Sequence, residues 1–341
     1  HQGALGYKNV ATKTPMTTDD LFYIQSMTKP IISTAFMMLY EEGYFKLSDP
    51  VSKYLPEFKN FRVIRSVNDG PDAPTDSLKS EITITQLLSH SGGLMHGLEQ
   101  NPVQIRFRNG YFKPGIKTIQ ERVANMTKYP LLAQPGTEWN YSAGPDVLCV
   151  LIEKFSGMSV NDFLKSRLFE PLEMKHTGYN VPKEEQSKIV ALHTKGKNGT
   201  ISVAANQPPY ENVTVWSGVN GLFSTAADYA TFCQMMLAGG TYKGKQYLSR
   251  KTVELMTSNH TGDLFKTPGT EWGLGFAVVT DGPATKTPAS NGLFYWGGAN
   301  NTHFFIDPKE KLIALLMTQE SNFTWEYHNS LRQMVYQTLA D

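Results

Sequence analysis

The sequence has few cysteines, no excess of charge of either sign and no long apolar run. Its 32 Lys and Arg nearly balance its 31 Asp and Glu, giving a formal net charge of +1 over 341 residues. This balance argues against nucleic acid or an anionic membrane as a partner. No stretch approaches the ~20 apolar residues that a membrane helix needs. We therefore expect a soluble protein with no membrane span and no nucleic-acid partner.

Sequence signals of cofactors and disulfides are also missing. The two cysteines, Cys149 and Cys233, lie in apolar helical patterns, and no C-x-x-C pair is present. We expect two buried free thiols, no metal and no cofactor. No G-x-S-x-G elbow, phosphate loop, dinucleotide fingerprint or H-E-x-x-H occurs, which argues against an α/β-hydrolase, a nucleotide-binding enzyme and a zinc peptidase.

The compartment stays open at this stage. No signal peptide is visible, and the sequence begins at His1 rather than Met. Both a cytoplasmic and an exported protein fit this start, as does a processed N-terminus. The oligomeric state is not indicated either.

Helix signals fill the middle of the chain, whereas strand signals lie mainly near its ends. Capped apolar patterns predict helices over residues 26–42, 83–90, 143–155, 225–237 and 324–339, and from 159 onward. Strands are predicted at 274–279 and 293–296, in a hairpin over 303–317, and within the first ~10 residues. We therefore predict an α+β fold. Residues 1–25 and 265–341 would form a domain with an antiparallel sheet flanked by helices, residues 26–264 a mainly helical domain, and the active site would lie between them.

One S-x-x-K tetrad, Ser26-Met27-Thr28-Lys29, occurs in the chain. On a helix, residues three apart share a face, so Ser26 and Lys29 would project together. A serine hydroxyl needs a base to become nucleophilic. Burial and the helix dipole would both lower the pKa of Lys29 from its usual ~10.4. The tetrad alone is weak, because chance yields on the order of one in a chain this long, and an N-capping serine beside a surface lysine explains it as well.

Four sequence blocks place the tetrad in a wider pattern. They are TTDDLFYIQSMTK (17–29), ITITQLLSHSGGL (82–94), PGTEWNYS (135–142) and GLFSTAADY (221–229). In this order they resemble blocks of the serine β-lactamase and penicillin-binding protein superfamily, with class C β-lactamases and family VIII carboxylesterases most similar. The resemblance implies a β-lactamase/transpeptidase-like fold and a serine hydrolase that needs no cofactor.

The resemblance assigns Tyr141 as the second catalytic group. A phenol within hydrogen-bond reach of Ser26 and Lys29 can relay a proton to the leaving group. A nearby cation is expected to lower the pKa of this phenol. The family often has Tyr-x-Asn here, but this chain has Ala143 in the third position. The missing amide argues against β-lactam recognition. The alternative to a catalytic role is that Tyr141 is a buried aromatic residue at the start of a helix.

The segment Trp296-Gly297-Gly298-Ala299 stands where β-lactamases carry Lys-Thr-Gly. The resemblance implies that the N–H groups of Ser26 and Ala299 form an oxyanion hole. The two glycines would allow close backbone approach to a substrate. Tryptophan in place of lysine supplies an apolar wall instead of a cation, as in family VIII esterases. We predict substrate contacts at Trp296, Gly297 and Gly298, against the alternative of a core tryptophan beside a glycine bulge.

Further pocket residues are expected in residues 96–134. Three aromatic side chains there are predicted substrate contacts: Phe107, Tyr111 and Phe112. Three histidines could approach the cleft, with packing or capping as the favoured interpretation: His90, His96 and His303.

These residues predict a reaction on small-molecule esters. Lys29, helped by Tyr141, would take the proton of Ser26, which attacks the ester carbonyl. The alcohol would leave with a proton from Tyr141, and water would release the acyl group. We expect short-acyl esters as substrates. Two alternatives stay open: a β-lactamase or D-amino-acid peptidase or amidase on the same site, and a non-catalytic homologue that acts by binding.

Overall fold

A computed structural model describes residues 1–340. The helices are α1 (Thr28–Glu41), α2 (Ile84–Leu88), α3 (Pro102–Tyr111), α4 (Ile119–Met126), α5 (Gly144–Ser156), α6 (Val160–Leu164), α7 (Ala226–Leu237), α8 (Arg250–Met256) and α9 (Glu326–Tyr336). Within the described chain, none of these helices is long and apolar enough to cross a membrane.

The strands are mostly short. They are β1 (Tyr7–Asn9), β2 (Thr14–Pro15), β3 (Phe22–Tyr23), β4 (Arg62–Ile64), β5 (Thr75–Ser77), β6 (His193–Lys195), β7 (Ile201–Val203), β8 (Phe223–Ser224), β9 (Thr241–Tyr242), β10 (Lys245–Gln246), β11 (Thr270–Trp272), β12 (Ala277–Val279), β13 (Phe294–Gly298), β14 (Thr302–Asp307) and β15 (Leu312–Leu316).

The main sheet is antiparallel, with the strand order β11-β12-β13-β14-β15. The predicted hairpin is confirmed: Asp307 accepts from the backbone N–H groups of Lys309 and Glu310 and closes the β14–β15 turn. Alternate residues point to opposite faces of a strand. Phe304 therefore packs on Tyr229 of α7, whereas Phe305 packs against α9, so helices cover both faces.

The expectation that the first residues join this sheet is wrong. In residues 1–15, β1 pairs with β2 instead. Asn9 explains the reversal, because its side-chain oxygen accepts from the N–H groups of Ala11 and Thr12 and turns the chain back on itself. The strand β3 pairs with β8. The predicted division at residues 25/26 and 264/265 stays a prediction.

Helix α1 forms the centre of the molecule and positions the tetrad. It is buried on all sides, because every residue from Thr28 to Leu39 is buried. A helix buried all round lies in a core rather than on a surface. It packs against α5, the helix that follows Tyr141. The fold therefore fixes both predicted catalytic segments against one another.

Residues 96–134 form helices that the sequence reading missed. Asn101 caps α3, with Pro102 in its first turn, and Thr118 with Glu121 makes a capping box on α4. Such caps satisfy N–H groups that have no partner within the helix. Both helices bury an apolar face, so residues 96–134, predicted to contain pocket residues, also form part of the hydrophobic core.

Candidate active site

The predicted nucleophile segment is held in a strained and tightly bonded turn. Ser26 lies in a 3-10 turn, Gln25–Met27, directly before α1, and is partly exposed. Gln25 has a φ of 48°, in the left-handed region that non-glycine residues rarely adopt. The Tyr229 hydroxyl donates to the carbonyl of Met27 at 3.0 Å, and the N–H of Ile24 donates to a backbone carbonyl, also at 3.0 Å. These bonds on either side hold the turn in place.

Lys29 is buried directly behind Ser26. Its Nζ donates to Ser26 Oγ at 3.0 Å and to the backbone carbonyl of Val219 at 2.8 Å. Burial disfavours the ammonium form and lowers the pKa of Lys29 to about 7, against an opposing effect from the charge of Asp146. A substantial fraction of Lys29 is therefore free amine at neutral pH, as a general base requires.

Asp146, in the first turn of α5, organises the loop that carries the acceptor of Lys29. Its Oδ1 accepts from the Ser217 hydroxyl at 2.8 Å, from the Gly218 N–H at 2.6 Å and from the Val219 N–H at 3.1 Å. Its other oxygen accepts from the Tyr111 hydroxyl. A fully buried carboxylate needs such partners, because an unsatisfied one is costly. The sequence reading missed this residue, since an acid in a first helical turn is ordinary.

Tyr141 lies beside Lys29 and is the third residue of the candidate site. The Nζ of Lys29 lies 4.5 Å from the centre of its ring, and its hydroxyl accepts from Trp296 Nε1 at 3.1 Å. Burial raises the pKa of Tyr141, and this outweighs the lowering effect of the Ser26 and Trp296 side chains. The expected fall in its pKa is therefore wrong. The resting tyrosine is a neutral phenol, suited to passing a proton on.

Histidines and a tryptophan surround the Tyr141 ring. His90 Nδ1 accepts from the Ser142 backbone N–H at 3.2 Å, and burial holds the pKa of His90 well below its usual value. This neutral imidazole fixes the residue next to Tyr141. His96 stacks on Tyr141 with ring centres 5.1 Å apart and an interplanar angle of 7°, and Trp139 stacks at 6.0 Å. The ring orientation of Tyr141 is thus set by packing.

The glycine pair allows close contacts within the protein itself. A Cβ on Gly298 would lie 2.3 Å from the carbonyl oxygen of Ile24, and one on Gly297 would lie 2.6 Å from His303 Nδ1. The glycines therefore allow a close approach between β13, the predicted nucleophile segment and β14, and the predicted substrate contacts at Gly297 and Gly298 stay a prediction. This close approach brings the end of β13 beside the Ser26 turn, and Ala299, the next residue, is exposed.

Two of the three aromatic candidates in and directly after α3 are not available to a substrate. Phe107 and Tyr111 are fully buried and stack on each other, with ring centres 4.8 Å apart. The prediction of substrate contacts at these two residues is wrong, because the amphipathic helix turns them into the core. Phe112 stays partly exposed, with the Arg122 guanidinium 5.1 Å from its ring centre.

One groove of the molecule does not include Ser26 in its lining. A groove of about 430 Å³ near Phe169, His176 and Tyr179 contains none of the Ser26, Lys29 and Tyr141 set. Residues 1–340 contain no group of three or more His, Cys, Asp or Glu placed to hold a metal. The arrangement suited to nucleophilic chemistry is the one around Ser26.

Comparison with known proteins places this geometry in a family. A family model described as Beta-lactamase matches residues 1–335. An uncharacterized protein from Mycobacterium tuberculosis (strain CDC 1551 / Oshkosh) is 31% identical over 331 residues, covering 92% of this chain and 81% of that protein. Esterase EstB from Burkholderia gladioli is 26% identical over 327 residues, covering 89% and 78%.

The fold agrees with solved structures. EstCE1, described as a hydrolase with promiscuous acyltransferase activity, superimposes with a TM-score of 0.84 at 24% identity, covering 98% of this chain and 90% of EstCE1. The predicted β-lactamase/transpeptidase-like fold and the predicted enzyme class, a serine hydrolase, are confirmed. The chain belongs to the Beta-lactamase family.

Proposed function

We propose that this enzyme hydrolyses small carboxylic esters with short acyl groups through an acyl-enzyme on Ser26. The observation that carries the proposal is the contact between Lys29 Nζ and Ser26 Oγ, 3.0 Å long, made by a buried lysine with a pKa of about 7. Relatives named esterase EstB and lovastatin esterase, the latter from Penicillium rubens, support an ester as the substrate.

The proposed first step is acylation. The free amine of Lys29 takes the Ser26 proton as Oγ bonds to the carbonyl carbon, and the carbonyl oxygen becomes an oxyanion. The N–H groups of Ser26 and Ala299 would stabilise it, which is worth about 3 kcal/mol per donor elsewhere. Tyr141 then donates its proton to the departing alkoxide and recovers one from the Lys29 ammonium. Water releases the acyl group by the reverse sequence of proton transfers.

Side chains around this centre favour esters over β-lactams. Trp296 occupies the position of the lysine that would hold an anionic substrate group, and its indole N–H is already bonded to Tyr141. Ala143 is buried and carries no amide for a substrate side chain. Relatives named putative D-alanyl-D-alanine carboxypeptidases, such as one from Escherichia coli (strain K12), keep peptide hydrolysis as the second candidate.

Substrate turnover separates these candidates. We expect p-nitrophenyl acetate to be hydrolysed far faster than a chromogenic cephalosporin or a D-alanyl-D-alanine peptide. Faster turnover of either competitor would refute the ester assignment.

A fluorophosphonate probe tests catalysis itself. We expect it to modify Ser26 in the folded wild-type chain and to leave Ser26→Ala unlabelled, as shown by peptide mass spectrometry. An unlabelled Ser26 in folded wild-type protein would instead favour a non-catalytic homologue.

A further inference from the structure

Two exposed aromatic side chains are connected to Tyr141 through the ring of Trp296. Phe323 and Trp325 precede α9 and are 43% and 38% exposed. Their rings contact each other with centres 5.2 Å apart, and the Trp325 ring lies 5.5 Å from that of Trp296. The Trp296 ring lies 5.4 Å from Tyr141. These four rings form a continuous aromatic surface, which we call the aromatic rim, from the reaction centre to solvent.

The aromatic rim is fixed to the turn that follows Ala299. Asn301 is fully buried, and its Nδ2 donates to the carbonyls of Glu320 and Asn322 at 3.2 and 2.9 Å. Its Oδ1 accepts from the Thr324 N–H at 2.8 Å. One side chain therefore bonds the segment on both sides of Phe323. Such preorganisation reduces the entropy that a binding surface loses when it takes a ligand.

The charged side chains of the rim segment favour an uncharged ligand over an anionic one. Residues 318–327 contain Glu320 and Glu326 and no Lys or Arg. Within this segment, a carboxylate on the bound group would meet two acidic side chains and no basic one. An uncharged, planar apolar group would instead bury its faces against the rings, which prefer stacked or edge-on partners.

We propose that the aromatic rim binds the alcohol part of the ester and that this part is a planar, uncharged apolar group. The assignment rests on the proposed function, in which Tyr141 delivers a proton to the leaving alkoxide. The departing oxygen must then lie at the Tyr141 hydroxyl, and the alcohol's carbon skeleton extends from there. Trp296 contacts Tyr141 directly, and Trp325 with Phe323 continues the surface outward. The acyl part remains on the other side of the carbonyl.

Three esters of primary alcohols test this assignment. Butyl acetate has no aromatic group, 2-(2-naphthyl)ethyl acetate has one on the alcohol side, and butyl 3-(2-naphthyl)propanoate has one on the acyl side. We expect Trp325→Ala to lower kcat/KM for the naphthylethyl ester by about tenfold, and Phe323→Ala by about threefold. The other two esters should change by less than about twofold.

A matched control uses an exposed aromatic far from Ser26. Tyr44 is 46% exposed and follows the far end of α1, whose 14 residues span about 21 Å. Tyr44→Ala should leave all three esters within about twofold. Trp325→Leu keeps apolar bulk without an aromatic face, so it should show the same selectivity at reduced size if Trp325→Ala does not fold.

The outcomes distinguish a failure of the rim assignment from a failure of the proposed function. If Trp325→Ala or Trp325→Leu leaves the naphthylethyl ester unchanged, lowers all three equally, or affects mainly the acyl-side naphthyl ester, the rim assignment is overturned while ester hydrolysis stands. If wild-type protein turns over none of the three and Ser26 takes no fluorophosphonate, the proposed function itself fails. Inhibition by 2-(2-naphthyl)ethanol gives a second readout, and its inhibition constant should rise about tenfold in Trp325→Ala.

Discussion

The inner side of the active site and its rim are built in different ways. On the inner side, Lys29 and Asp146 are buried, and a hydrogen-bonded loop joins them. At the rim, Phe323 and Trp325 present their rings to solvent, and the bonds that hold them run from Asn301 to the backbone. If the proposed mechanism holds, reactivity depends on buried side chains that tolerate little change. Recognition by the proposed rim would depend on exposed rings that can vary while the scaffold stays.

The largest expected effect comes from removing the nucleophile. Ser26→Ala should lower kcat/KM for p-nitrophenyl acetate by at least about a thousandfold, because the acyl-enzyme cannot form. The fold should persist, since Lys29 Nζ keeps its bond to the Val219 carbonyl. Ester kinetics measure the loss of kcat/KM, and thermal unfolding checks that the fold persists. Retained turnover in a folded variant would place the nucleophile elsewhere.

Variants of Tyr141 and Trp296 should distinguish the proton relay from the hydrogen bond that positions it. Tyr141→Phe removes the proton relay and should lower kcat by about a hundredfold or more. Trp296→Phe keeps an aromatic ring but removes one hydrogen bond to the Tyr141 hydroxyl, typically about 1 kcal/mol, or roughly fivefold. Steady-state kinetics of both variants test the order. A larger loss from Trp296→Phe than from Tyr141→Phe would contradict the relay role.

The pH profile probes how the buried side tunes Lys29. The base must be neutral, so activity should fall as the pH drops through about 7, the pKa of Lys29. The charge of Asp146 favours the ammonium and raises that pKa. Asp146→Asn should therefore shift the acid limb of kcat/KM to lower pH.

Stability should change as well in Asp146→Asn. An asparagine accepts through one oxygen, so some buried donors lose their partner, at a cost of about 1–3 kcal/mol in the free energy of unfolding. The exposed Glu254, whose partners lie on its own helix, supplies the control Glu254→Gln, which should leave the limb in place. An acid limb that stays put or moves upward in Asp146→Asn would refute the electrostatic role.

The sequence predicts features that depend on nearby residues better than contacts between residues far apart in the chain. The tetrad and the β14–β15 hairpin depend on local spacing, whereas Tyr141 is assigned from the family resemblance. The structure brings Ser26, Lys29 and Tyr141 together. The Asp146 loop could not be predicted, since its bonds join residues more than 70 positions apart. A buried polar contact of this kind leaves no periodic signal.

Some features missed from the sequence did have signals. Asn101-Pro102 is a cap followed by a first-turn proline, and Thr118 with Glu121 is a capping box, so α3 and α4 were accessible. Recognising α3 as amphipathic would have turned Phe107 and Tyr111 into the core rather than the pocket. The aromatic rim had no such signal, because Phe323 and Trp325 depend on a side chain about 20 positions earlier in the chain.

The smallest expected effect tests the link between the rim and the scaffold. Asn301 has a φ of 59°, so Asn301→Gly removes the side chain without backbone strain at that position. Three hydrogen bonds to the rim segment are lost. The segment should become more mobile, and the preference for the naphthylethyl ester over butyl acetate should fall by about threefold, with butyl acetate kinetics changed by less than about twofold. An equal loss for both esters would instead show that Asn301 supports the adjoining Ala299 turn, and that rim and reaction centre are one structural unit.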